Sequence, residues 1–451
     1  MTSATYRSMA VPRQVRAYSG AEFVDLFYDH RLRIRGTCRG SACTVQTQRE
    51  VGTAARIVGS GESVEYCCSG WEDGGDLLFS ALAGITELGD IAVSHHQAPL
   101  SLPLPDLTDA DRELRADFML AGQDAAHGVS CLIADVRIQW AETQQIGAIC
   151  RDDKPLRLFR RGNIMFRIDV SARRAGEEES AWESPGWQEA SDVRVENVRH
   201  HAATAAQRAV DLLDAKPVEP GSQTVVFGPA SGGVLIHEAC GHPLEDDNMR
   251  SGNPYQSRIG QKIAPENVSV VDWAAVPGGW YRSDIDDEGE DVVATRLIDH
   301  GVLCATLRDR KAVLHSAAAS CNGRRSGFDQ PPIPRMTNTY VEPGSDTPRD
   351  ILADTGKGLY ASRLGGGQVN PVTGNYMFHI AEGYTISRGR LGAMVRGAMV
   401  VGNGLETIAA VDAVGNDLAF APAICSKANQ PLPVSVGQPT LRVGRMAVAG
   451  A

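Results

Sequence analysis

The segment His237-Glu238-Ala239-Cys240-Gly241-His242-Pro243 constrains this chain more than any other stretch. Two imidazoles flank a carboxylate that directly follows the first of them. Imidazole suits zinc and similar ions, and a glutamate beside such an ion can take a proton from the water it activates. The spacing is not that of the H-E-x-x-H helix, whose histidines stand at i and i+4 and share a face. At ~100° per residue, five steps put His242 about 140° around an ideal helix from His237, too far for one ion. Gly241 tolerates unusual backbone angles, and Pro243 disfavours α geometry at His242. The pattern predicts a helix from about Ser231 to Cys240 that then breaks. His242 swings back either from the first turn beyond the helix end or from a widened last turn of π type.

At 451 residues the chain is long enough for two domains, each with its own core. Hydrophobic content of 43% and charged content of 22% are ordinary for a soluble globular protein. The net charge of -11 argues against a nucleic-acid surface, which needs clustered Lys and Arg, and disfavours a generally anionic substrate. Residues 1–30 hold no apolar core of signal-peptide length, with Arg7, Arg13 and Arg16 dispersed among polar residues. No stretch approaches the ~20 apolar residues of a membrane helix. The ten cysteines show no paired zinc-ribbon spacing, and free thiols are expected rather than a disulfide framework. A cytoplasmic protein without nucleic-acid or membrane partners is the expectation.

An α+β organisation follows, with an N-terminal mixed domain (1–215) and a C-terminal domain (216–451). In the first, Asp76 caps a predicted helix through Leu77, Leu78, Leu82 and Ile85, and Thr108 with Asp111 opens another through Leu114, Phe118 and Met119. Ala134, Val136, Ile138 and Trp140 alternate with polar residues; Ile164, Phe166, Ile168 and Val170 follow an expected turn at Arg161-Gly162-Asn163. Glu196–Leu213 reads as an amphipathic helix. Lys216–Gly221 reads as the linker. Beyond it, Thr224–Phe227 leads into the histidine helix, the one helix expected in this half. Strands are predicted at Val268–Asp272, Val292–Ile298, Thr337–Val341, Tyr376–Ser387, Ala393–Val401 and Thr440–Met446. They imply a large, strongly curved antiparallel sheet, nearly closed, that carries the metal-binding helix.

Two histidines do not complete a hydrolytic metal site, which takes three protein ligands and leaves a position for water. Cys240, Glu245, the acidic turn Asp286-Asp287-Glu288-Gly289 and Cys425 are the candidates for the third. Local geometry does not choose between Cys240 and Cys425. The acidic turn lacks the alternating oxygens of a calcium loop and reads as a solvated bend. His95-His96 and His200-His201 read as solvated histidines. Arg324-Arg325 is either a clamp for a substrate carboxylate or a salt bridge between domains or subunits.

The C-terminal half resembles the TldD/PmbA family of metalloproteases, in its catalytic TldD branch. The blocks that carry the resemblance are His237–His242 with Leu244-Glu245, Asp286–Gly289, Asn322-Gly323-Arg324-Arg325, Pro334–Thr339, Gly365-Gly366-Gly367-Gln368-Val369, and Val436-Gly437-Gln438-Pro439-Thr440. Glu22–Phe27 and Gly52–Val58 extend it more weakly into the first half. The resemblance implies one zinc ion per active subunit, held by His237, His242 and Cys425, with Glu238 as general base. It disfavours a ligand role for Cys240. It further implies hydrolysis of peptide bonds in short or unfolded peptides, and a hetero-oligomer with a metal-free PmbA-type paralogue, a homodimer being the fallback. Gly366, Gly367, Gln368 and Val369 offer a glycine-rich strand edge for an extended peptide, with Arg324 as a further substrate contact. Two alternatives stand beside this reading. One is a tailoring hydrolase cutting a small amide in a natural-product pathway, for which Cys67-Cys68-Ser69-Gly70-Trp71 leaves room for altered substrate entry. The other is a non-catalytic modulator with a structural metal.

Overall fold

A computed structural model of the chain describes residues 21–59, 64–71, 104–151, 153–230, 232–314, 320–370 and 372–450. The helix expected after Asp76 and the pair His95-His96 lie outside these residues. The protein is mostly β. Its first half is one antiparallel sheet in the order β3-β2-β1-β4-β5-β6, built from β1 (Ala21–Arg39), β2 (Ala42–Gly59), β3 (Val64–Trp71), β4 (Ile133–Arg151), β5 (Arg157–Arg174) and β6 (Glu177–Glu183). The alternation through Val136, Ile138 and Trp140 is half of a long hairpin in which Trp140 faces Phe166 and Ile138 faces Ile168. That hairpin corrects the turn expected at Arg161–Asn163. These residues lie inside β5, opposite Gln145, Gln144 and Thr143, and the chain reverses before Arg157, where Asp153, Lys154 and Pro155 supply turn formers.

Two helices cover one face of this sheet. In α1 (Asp109–His127) Thr108 and Asp111 form a reciprocal capping box, and α2 (Val195–Leu212) presents Val198, Ala202, Ala205 and Ala209. They pack with Met119, Ile34, Ile138, Trp140, Phe166 and Ile168 into one core. Each large apolar side chain enclosed there contributes about 1.5–3 kcal/mol. The cysteine expectation needs one correction: the β1–β2 hairpin sets Cys38 opposite Cys43, and the two are disulfide-bonded.

The second half departs from the single antiparallel sheet. Five strands close a ring: Gly221–Phe227, Leu441–Gly450, Ala398–Asn403, Asn375–Ser387 and Lys357–Val369, the last pairing back to the first. A second sheet of six strands ends in the pair Gln430–Gln438 and Ala419–Lys427. Both sheets contain parallel ladders, Leu359–Ala361 against Val225–Phe227 and Asn338–Tyr340 against Ser435–Gly437. Parallel neighbours require long crossovers, and the chain supplies them between residues 227 and 359 and between 340 and 435. Arg390–Arg396 and Ala398–Asn403 are two strands where one was expected, separated by Gly397 at φ 65°. Short helices at Asp246–Arg250, Pro348–Asp354 and Gly404–Ala409 were not expected. Lys216–Pro217 is held by a short ladder to Val395–Arg396.

The acidic turn is no solvated bend. Asp286, Asp287 and Glu288 are at most 3% exposed. Arg161 of β5 pairs with Asp287, Arg56 of β2 reaches Glu288 at 2.6 Å, and Arg151 of β4 donates to the Glu288 carbonyl. The first-half sheet thus docks on the second half through arginines that enclose this turn. A further joint links Glu183 at the end of β6 to Arg208 of α2 at 3.0 Å and to Arg363 at 2.6 Å. Among the described residues, no helix is long and apolar enough to cross a membrane.

Candidate metal centre

The histidine segment begins with a close approach. A Cβ at Gly233 would lie 2.6 Å from the Gly437 nitrogen, so this glycine lets the helix start against the Gln430–Gln438 strand. Gly233–Ile236 is α-helical, His237–Gly241 is a π turn, and His242–Leu244 is 3₁₀. The His242 N–H donates to the His237 carbonyl, an i→i+5 bond that sets the two residues one above the other. Of the two routes open from the sequence, the widened turn is the one taken. The reasons offered for it need revision. Gly241 has ordinary helical angles (φ -64°), and what requires glycine there is Met336, whose sulfur a Cβ would overlap. His242 stays in the α region despite Pro243, which enters at the start of the 3₁₀ turn, where its missing N–H is no loss.

Enclosed carbonyls at this helix end need donors, and the next segment brings them. Tyr255 donates its hydroxyl to Ala239 at 2.6 Å, Asn248 its amide to His242 at 2.8 Å, and Asn253 its amide to Pro243 at 2.6 Å. The sequence reading missed all three. An Asn-rich stretch directly after a helix break was the only available signal.

Cys425 arrives from the edge strand Ala419–Lys427, where it faces inward between the exposed Ile424 and Ser426. Its sulfur lies 3.1 Å from His242 Nε2. The His237 and His242 rings stand 5.1 Å apart at 86°. Donor atoms of His237, His242 and Cys425 all lie within 4.8 Å of one another, and all three residues are buried. With metal–nitrogen bonds near ~2.0 Å and metal–sulfur bonds near ~2.3 Å, tetrahedral donors stand about 3.3–3.6 Å apart, a spacing that small side-chain shifts would reach from this cluster. His237 Nδ1 has no hydrogen-bond partner among the described residues. Two imidazoles and a thiol converging in one buried place are a donor set that zinc takes.

Electrostatics prepare the sulfur. Burial alone would raise the Cys425 thiol, but His237 and His242 more than offset that and hold it down at about 4. It is a thiolate at neutral pH, the form that binds metals. Burial also disfavours a charged His242, yet Glu245 and then Cys425 push this imidazole well above its usual range. Glu245 Oε2 lies 2.9 Å from His242 Nδ1, which directs Nε2 towards the sulfur. Burial would raise Glu245, whereas His242, Lys427 and Arg335 bring it down to about 2. Lys427 donates to Glu245 at 2.9 Å, and Arg335 anchors the ligand strand through the Cys425 carbonyl at 2.7 Å. Glu238 keeps 23% of its side chain exposed, and its Oε2 stands 4.0 Å from His242 Nε2. It is the one member of the motif open to solvent.

The other candidates fall elsewhere. Cys240 is buried in the apolar core, which pushes its thiol up to about 12, and it is not part of the donor cluster. Glu245 and the acidic turn have partners of their own. Arg324 and Arg325 are enclosed at the joint between the halves, at 2% and 1% exposure. Gly366, Gly367 and Gln368 are exposed on Lys357–Val369, where pairing shifts by a bulge between Leu364 and Gly367. Pairing of this strand with Gly221–Phe227 stops at Ala361. His201 leans on Glu183 at 3.2 Å.

In this mostly β chain the π turn and an edge strand bring two imidazoles and a thiol together, a donor set that could hold a metal ion. Residues 220–450 match the PmbA/TldA metallopeptidase C-terminal domain, and the chain belongs to that family. It is 34% identical over 250 residues to a protein of Buchnera aphidicola named metalloprotease TldD homolog, covering 54% of this chain and 52% of that one. A Synechocystis metalloprotease is 26% identical over 425 residues, covering 89% and 90%. The chain spans about half the length of the first curated relatives it matches. The fold is shared with TldE from Thermococcus kodakarensis, at 14% identity, a TM-score of 0.75, and coverage of 98% and 100%.

Proposed function

We propose that this protein is a zinc-dependent peptidase in which His237, His242 and Cys425 hold the ion and Glu238 is the general base. The observation that carries the reading is the sulfur of Cys425 facing two imidazoles beside the partly exposed Glu238. Bound zinc supplies a Lewis acid for the scissile carbonyl and eases loss of a proton from water. Glu238 accepts that proton and returns it to the leaving amine. Glu245 fixes the His242 ring, and Arg335 fixes the strand that delivers Cys425. Peptide substrate lies extended along the Gly366–Val369 edge, where backbone pairing is nearly blind to side chains. The exposure of Gly366, Gly367 and Gln368 supports that placement. A division of the chain near residue 216 and assembly with a metal-free paralogue of the TldE type complete the proposal.

Glu238→Gln is the test, assayed on a pool of short peptides with zinc measured in parallel. Hydrolysis is expected to fall at least about 10³-fold, within the range of general-base loss, while zinc content stays unchanged. Undiminished hydrolysis removes Glu238 from the mechanism.

A further inference from the structure

Where the halves meet, a small cleft is lined by arginines from both, among them Arg33, Arg161, Arg282, Arg324 and Arg325, with Asp287 the one carboxylate in its wall among the described residues. Three of these arginines have counter-ions at hand, Arg325 reaching Asp25 at 3.9 Å. Arg33 pairs with Glu50 at 3.0 Å, and Arg161 with Asp287. Arg324 has none. It is 2% exposed, and no carboxylate among the described residues comes within 4.0 Å of it. Asp287 is taken by Arg161 and by the Arg325 N–H, and Asp272 by Asn322, Thr337 and Thr339. Arg324 instead donates to the carbonyls of Met336 and Pro433 and lies 3.9 Å over the Tyr281 ring, and its Nε has no acceptor.

Two carbonyl bonds and one ring contact offset part of the cost of enclosing a guanidinium but leave its charge without a counter-ion. Arg282, exposed at the rim of the same cleft, also lacks an ion pair among the described residues. The acidic balance of the whole chain makes this concentration of positive charge the more pointed. We propose that the cleft is a binding site for a small oxyanion, the carboxylate or phosphate of an anionic ligand, with Arg324 at its buried end and Arg282 at its rim. Planar guanidinium forks suit both groups. Because the walls come from β1, β4 and β5 on one side and from residues 281–325 and 431–433 on the other, occupancy tightens the docking of the halves. The proposal does not depend on peptidase activity.

The test is thermal unfolding of the full chain at fixed ionic strength, titrated with inorganic phosphate, succinate or neutral succinamide. A rise in Tm with phosphate or succinate, and none with succinamide, is expected; which anion acts identifies the source. Arg282→Gln should weaken the response about 10-fold, the effect of one lost charge-assisted bond. Arg324→Met should abolish it while leaving the ligand-free Tm equal or higher; if that variant does not fold, Arg282→Gln decides. No response to either anion, an equal response to succinamide, or an undiminished response in Arg282→Gln overturns the proposal.

Discussion

The donor cluster of His237, His242 and Cys425 and the turn Asp286–Glu288 are both closed off from solvent, and both consist of groups that bind cations. They differ in what surrounds them. Arginines from β2 and β5 and backbone N–H groups of Arg310, Gly323 and Arg325 meet the turn's carboxylates, and Arg151 of β4 donates to the Glu288 carbonyl. Around the cluster, carboxylate and cations gather on Glu245 behind it, leaving two ring nitrogens and a sulfur facing one another. Buried polar groups that satisfy one another build a joint; buried donors that converge without an acceptor mark a place for something else.

Substitutions can break that contrast, starting with the largest effect. Asp287→Asn strands the Arg161 charge and should cost about 3–5 kcal/mol of stability in chemical denaturation. Zinc affinity of the folded variant should stay unchanged; a parallel loss of zinc would make the turn part of the metal site. Cys425→Ser should reverse the pattern, lowering zinc affinity more than about 100-fold in a competition titration, since second-sphere changes alone cost ~10–100-fold. Cys240→Ser, at a position that packs rather than binds, should leave that affinity intact.

A smaller, pH-dependent effect sharpens the picture of the joint. Burial would raise Glu183, but His201, Arg363 and Arg208 hold it down at about 2, against 4.5 for a free glutamate. A depressed carboxylate contributes stability that is complete above about pH 4.5 and is lost as pH falls through about 2. The shift corresponds to about 3 kcal/mol at most. Wild type should therefore exceed Glu183→Gln in stability at pH 7, and the gap should shrink steadily between pH 4.5 and 2. A gap independent of pH would show that packing, not charge, is what Glu183 provides.

Much of this was open to reading from the chain alone where the pattern is local. The capping box at Thr108, the alternation leading to Trp140 and the awkward spacing of His237 and His242 each follow from neighbours a few residues apart. What escaped is long-range. The strand bearing Cys425 and its partner were not predicted; Pro422, Pro431 and Pro433 fall within them. Pro422 sits on an edge strand, and Pro431 and Pro433 lie beyond the ladder Ser435–Gly437 makes with Asn338–Tyr340, so their missing N–H groups cost no pairing there. Burial of the acidic turn was equally hidden, since Arg56, Arg151 and Arg161 come from more than 100 residues away.

The widened turn at His237–Gly241 also sets which length changes the motif tolerates. Deleting one residue between the histidines would leave a four-residue interval, which a regular α-helix already aligns on one side. Inserting one finds no regular helix that aligns the pair. The backbone at this site stands one step from a commoner arrangement in one direction and from none in the other, so its natural variation should run towards shortening.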